Sequence, residues 1–99
     1  MISKEGLLTI GRFFAALYQL KNDGAIRGVQ TFTRRYGINR RNMYTLERNI
    51  EERYGIFDIG WLAHLVHDYG VSADWLLTGT GAIYDEKAQK QRKRETADE

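Results

Sequence analysis

A chain of 99 residues carries one domain with a modest core and excludes two. A hydrophobic content of 42% with twelve aromatics excludes a disordered chain, and the lack of cysteine excludes a disulfide framework or thiolate metal site, which fits a reducing cytoplasm. Net charge is only +2, too small to name a partner by itself, and a chain without proline suits continuous helices joined by glycines.

The longest apolar stretch, Leu7 to Leu20, is broken by Gly11 and Arg12 and has no small-residue cleavage site, so it reads as neither signal peptide nor membrane span. A cytoplasmic protein with no membrane association is expected. Within that stretch Ile10, Phe13, Phe14, Leu17 and Leu20 recur at three- and four-residue spacing, predicting an amphipathic first helix that stops near Asn22-Asp23-Gly24. A short second helix starts at about Val29, carries Phe32 and Tyr36 inward and ends at Gly37. Asn39 is the natural N-cap of a third helix with Met43 and Leu46 inside, and Asn49 is expected to close it in the left-handed conformation. Ile50 to Phe57 reads as a connection. Asp58 then caps a fourth helix with Trp61, Leu62, Leu65, Val66 and Tyr69 on its apolar face, ended by Gly70. Ser72 caps a fifth, Ala73 to Thr78, closed by Gly79, after which Ile83 and Tyr84 pack back on the body.

These elements predict an all-α fold, a compact five-helix bundle with one core of Phe13, Leu17, Phe32, Tyr36, Met43, Leu46, Leu62, Leu65, Trp75 and Leu76. Residues 1–84 form the domain. Residues 85–99 hold five basic and five acidic residues and nothing apolar larger than alanine, which predicts a frayed or disordered tail.

The distribution of charge is more telling than its sum. Arg34 to Arg48 holds five arginines against the single Glu47, a net +4, so the remainder of the chain sums to −2. Two of these arginines stand where stability alone disfavours them. A helix N-terminus is the positive end of the macrodipole, and a cation there loses a few tenths to ~1 kcal/mol. Arg40 and Arg41 sit at that tip, just after a Gly-containing turn. A helix delivered tip-first by such a turn is how helix-turn-helix proteins enter the major groove of DNA, and a localised basic patch is the electrostatic footprint of phosphate binding. Arg34, Arg35 and Arg48 have a structural explanation as well, because cations in a last helical turn favour the dipole.

Two segments resemble the lambda-repressor-like, or XRE-type, helix-turn-helix family: Tyr36 to Asn49, and Tyr69-Gly70-Val71-Ser72-Ala73-Asp74-Trp75-Leu76-Leu77-Thr78-Gly79. The likeness covers roughly Ile10 to Gly81. It implies a sequence-specific DNA-binding transcriptional regulator, phage-repressor-like, with the third helix in the major groove of double-stranded DNA. Base contacts are then expected from Arg40, Arg41, Tyr44 and Thr45, and backbone contacts from Gln30, Arg34, Arg35, Asn39, Asn42 and Arg48. A homodimer on a pseudo-palindromic operator is expected, since one short helix spans few base pairs. There are departures: Val29 stands where the family has a phosphate-gripping glutamine, Thr33 replaces a small alanine, and the helix-one arginine that pairs with Glu47 falls on Leu17. Glu47 is expected to form an ion pair within the protein. Glu51 and Glu52 follow the third helix where phosphates are expected to run. At this length a C-terminal self-cleaving domain has no room.

No catalytic site is expected. His64, His67 and Asp68 share a helix, but two imidazoles at i and i+3 need further ligands to hold zinc, and Gly79-Thr80-Gly81 is too short to cradle phosphate. No cofactor or metal is expected. The alternative function is a helical protein-interaction module, such as the antitoxin of a toxin–antitoxin pair, which buries an apolar face on its partner.

Overall fold

The computed structural model describes residues 1–85, and all of the predicted tail beyond Asp85 lies outside the described residues. Six helices, and no strand among the described residues, pack as a compact all-α body. They are α1 (Lys4–Asn22), α2 (Val29–Tyr36), α3 (Arg40–Arg48), α4 (Ile50–Arg53), α5 (Gly60–Tyr69) and α6 (Ala73–Thr78). None is long and apolar enough to cross a membrane.

Local signals account for most of the boundaries. The Ser3 hydroxyl accepts the Gly6 amide at 3.1 Å to open α1, and Gly24, at φ 80°, lies just beyond its end. Asn39 Oδ1 accepts the Asn42 amide at 3.0 Å and Ser72 Oγ accepts the Trp75 amide at 3.2 Å, each relieving an orphan donor of a first turn. α2, α5 and α6 stop at Gly37, Gly70 and Gly79, all left-handed. Ile59 rather than Asp58 is the N-cap of α5; Asp58, two residues before the helix, still accepts the Gly60 amide on its carboxylate at 2.7 Å.

The connection after α3 departs from expectation. Asn49 is not left-handed: its φ of −149° and ψ of 71° turn the chain directly into α4. α4 is a single turn with Glu51 and Glu52 at its dipole-favoured start, and a 3₁₀ turn, Tyr54–Ile56, comes after it. The bundle therefore has six helices rather than five. The reason is burial, because Ile50, Tyr54, Ile56 and Phe57 all pack against the core and a helical turn is what brings them there.

Phe13 is the centre of that core. Its ring meets Phe14, Phe32, Phe57 and Trp61 at centroid distances of 5.1, 5.6, 5.3 and 5.8 Å. Leu17, Phe32, Met43, Leu46 and Leu65 are fully buried with it, and Leu62 and Leu76 nearly so. Tyr36 and Trp75 are only partly buried, because each sits at the rim with one edge in solvent. Ala16, Ile26, Val29 and Val71 belong to the core as well. Thr33, buried where the family resemblance implies a small residue, has its hydroxyl satisfied by the Gln30 carbonyl at 3.1 Å. After α6 the chain returns: Val71 and Tyr84 form an antiparallel bridge, the Ser72 amide donates to the Ile83 carbonyl at 2.7 Å, and the Tyr84 hydroxyl donates to Asp23 at 2.5 Å.

Candidate nucleic-acid interface

Helices α2 and α3 are joined by three residues, Gly37 to Asn39. Gly37 takes φ 66°, which a side chain would strain, and the Thr33 carbonyl accepts both the Gly37 and Ile38 amides. The chain can then reverse and start α3 at once. Met43 and Leu46, at i and i+3, are the only buried residues of α3, so the rest of its surface is left to solvent.

On that outer surface Asn39, Arg40, Arg41, Tyr44 and Arg48 line one shallow depression of about 700 Å³. Arg40, Tyr44 and Arg48 lie at i, i+4 and i+8 along one side of the helix. All three arginines are outside the core, and none makes a hydrogen bond or ion pair among the described residues. An aromatic plate ringed by unneutralised guanidiniums suits a flat or anionic ligand: phosphate oxygens and base edges both take forked bonds from arginine, and the ring can meet a methyl or sugar.

The remaining expected site residues are dispersed. Thr45 donates its hydroxyl to the Arg41 carbonyl at 2.9 Å, which leaves its oxygen to accept and its methyl for apolar contact. Asn39, at the edge of the depression, commits its Oδ1 to the cap and keeps its amide N–H donors, and Asn42 stands exposed beside it. Gln30 folds back over the start of α2, where a Cβ on Gly28 would lie 2.5 Å from its Oε1. Arg34 is exposed and Arg35 is not free. Arg35 donates to the Tyr69 hydroxyl at 3.3 Å, lies 3.7 Å from the Asp68 carboxylate, and spreads over the Tyr36 and Tyr69 rings. The phosphate contact expected of it is thus in competition with a place in the protein's own frame.

Two clusters are not legible from spacing. Tyr36 stacks on His64 with ring centroids 3.8 Å apart and 8° between planes, and its hydroxyl donates to Asp68 at 2.5 Å. Burial, then that hydrogen bond, push the Tyr36 phenol well above its ordinary value, while the same bond holds Asp68 below the usual carboxylate range. Among the described residues no group of three metal-capable side chains is assembled. The second cluster corrects the reading of Glu47, whose partner is a phenol rather than a cation: the Tyr18 hydroxyl, from α1, donates to it at 2.5 Å. That bond, with some burial, pushes Tyr18 up to about 12. Tyr18 stands one position after Leu17, on the face of α1 that periodicity assigns to solvent.

No family model, curated protein or solved structure matches the chain.

Proposed function

We propose that the protein is a sequence-specific DNA-binding transcriptional regulator of the lambda-repressor-like, helix-turn-helix kind, in which α3 enters the major groove by its N-terminus. It is a binding protein and no enzyme. The observation that carries the reading is the cluster of three guanidiniums around Tyr44, unpaired among the described residues, two of them at the dipole-disfavoured end of a helix presented by a three-residue turn. Arg40, Arg41, Tyr44 and Thr45 are the base-reading set, with Gln30, Arg34, Asn39, Asn42 and Arg48 toward phosphates and Arg35 reaching them only by leaving Tyr69. Two copies on a pseudo-palindromic site supply the specificity that one short helix lacks. The test is selection of bound sites from random duplexes, then isotherms on the winner across a salt series. Affinity should fall steeply with salt, with a log–log slope of about −0.9 for each phosphate neutralised. Binding that ignores salt would overturn the reading.

A second reading has an observation of its own. Ile59, Leu62, Ala63, Val66, His67, Ala73, Leu76 and Leu77 line a groove of about 250 Å³ between α5 and α6, and Ile59 is 77% and Leu77 53% exposed. An apolar surface of this kind fits the protein-interaction module, for instance an antitoxin. Association through it should hardly respond to ionic strength, which separates the two readings in one titration.

A further inference from the structure

The depression on α3 has an anchor that lies off the core. Met43 and Leu46 fix α3 to the body along a single stripe, since residues three apart lie one above the other on a helix. A helix held along one stripe resists translation better than roll. Among the described residues, the Tyr18–Glu47 hydrogen bond is the one side-chain hydrogen bond that joins α3 to another element, and it spans 29 positions of sequence. Glu47 stands one residue beyond Leu46, about 100° around the axis, and seven residues beyond Arg40, so at 3.6 residues per turn it shares a face with Arg40 and Tyr44. The bond therefore grips α3 on the side that presents the arginines. Tyr18 also lies close enough to Tyr44 for the two phenols to interact electrostatically.

We infer that Tyr18 is a positioning residue, which sets the roll of α3 through Glu47 and thereby determines how selectively Arg40 and Arg41 read bases. This rests on the DNA-binding reading above. Side-chain tips lie roughly 5–6 Å from a helix axis, so a roll of about 10° displaces them by about 1 Å. A hydrogen bond tolerates a donor–acceptor window of only about 0.5 Å, and a forked arginine–guanine contact must satisfy two at once. Phosphate attraction is long-ranged and tolerates the same displacement. Loosening the anchor hence removes discrimination and spares bulk affinity.

Tyr18→Phe tests this, because it removes one hydroxyl from a side chain that is 42% exposed and leaves the ring in place. The measurement is the ratio of dissociation constants for the selected duplex and its one-base variants, together with affinity for a random duplex, in wild type, Tyr18→Phe, Glu47→Ala and the double variant. The expected result is a roughly tenfold loss of discrimination in each single variant, no further loss in the double variant, and, for the charge-neutral Tyr18→Phe, random-duplex affinity within about twofold of wild type. Glu47→Gln, which keeps an acceptor for the phenol, should retain most of the discrimination. Parallel losses on selected and random DNA, additive single effects, or an unchanged ratio would each overturn the inference while leaving DNA binding intact. A wild type that binds no duplex in a salt-dependent way fails differently, since it removes the proposed function itself.

Discussion

Truncation of Leu46 to alanine examines the link between core and α3 directly. Leu46 has no exposed surface and, with Met43, is all that α3 contributes to the core. Deleting most of that side chain forfeits its transfer energy and leaves a cavity, and Leu→Ala changes at such sites cost ~2–5 kcal/mol. For a domain stabilised by about 5–15 kcal/mol that is a large fraction of the total. Leu77 provides the control: the same deletion on a side chain 53% exposed should stay within about 0.5–1 kcal/mol. Urea titrations monitored by the emission of Trp61 and Trp75 report both. At an m-value of ~1.5 kcal/mol/M the Leu46 variant should lose about 1.3–3.3 M in midpoint, against less than about 0.7 M for Leu77. Equal midpoints for the two variants would refute the placement of α3 on the core, and with it the geometry from which the depression is built.

Arginines of equal charge should separate by position. Replacing whichever of Arg40 and Arg41 forks onto guanine by alanine should cost ~1–3 kcal/mol at one base pair, and lysine should restore charge without the fork; isotherms on one-base variants decide it. Arg34→Ala should weaken all duplexes alike and flatten the log–log salt slope by about 0.9. Arg35→Ala should in addition lower the melting temperature, since it releases Tyr69 and Asp68, whereas Arg34→Ala should leave melting unchanged. The Tyr18 phenol is raised from its ordinary 10.0 to about 12, chiefly by its bond to Glu47, so its contribution is whole below the ordinary value and is lost as pH rises toward the raised one; melting curves of Tyr18→Phe should lack that part of the alkaline decline. Asp68 is lowered, chiefly by the Tyr36 hydroxyl, so its contribution is present above the ordinary carboxylate value and lost as pH falls through the depressed one; Asp68→Asn should flatten the acid limb of stability.

The helix ends were legible because their signals are local. Gly37, Gly70 and Gly79 take φ of 66, 71 and 77°, and Asn39 and Ser72 make the cap bonds their chemistry favours, all within a few residues of sequence. Asn49 broke the pattern because its conformation is decided by the next element: α4 begins at Ile50, leaving no room for a left-handed stop. α4 itself is too short to show a period, and its cause is a core assembled from distant elements. Val71 and Ile26, buried in connections, carry no periodic signal either. In the candidate site the same division holds. Arg40, Arg41, Tyr44 and Arg48 are near neighbours on one helix and could be grouped from spacing alone. Arg35 and Glu47 could not be assigned partners, because Tyr69 and Tyr18 are 34 and 29 positions away, and nothing in helical spacing brings them near.

Those two distant contacts explain how a short helix can be presented rigidly at an end where it is not favoured. Arg40 and Arg41 at the tip of α3 cost ~0.3–1 kcal/mol each against the dipole, while the Asn39 cap returns about 1 kcal/mol, so the tip is close to neutral and lends α3 little stability of its own. What holds it is burial of Met43 and Leu46, ~1.5–3 kcal/mol each, which on a single stripe resists roll less than translation. Polar ties add constraint at the C-terminal end of each helix of the pair. Arg35 and Tyr36, at the end of α2, are bound to Asp68 and Tyr69 of α5, and Glu47, at the end of α3, to Tyr18 of α1. The turn from Gly37 to Asn39 and the arginines after it carry no such tie among the described residues, which leaves them open to a partner on a frame already ordered. On the proposed DNA-binding function, ordering cost is then met on folding rather than on binding, and the energy of the guanidinium contacts is available for discrimination.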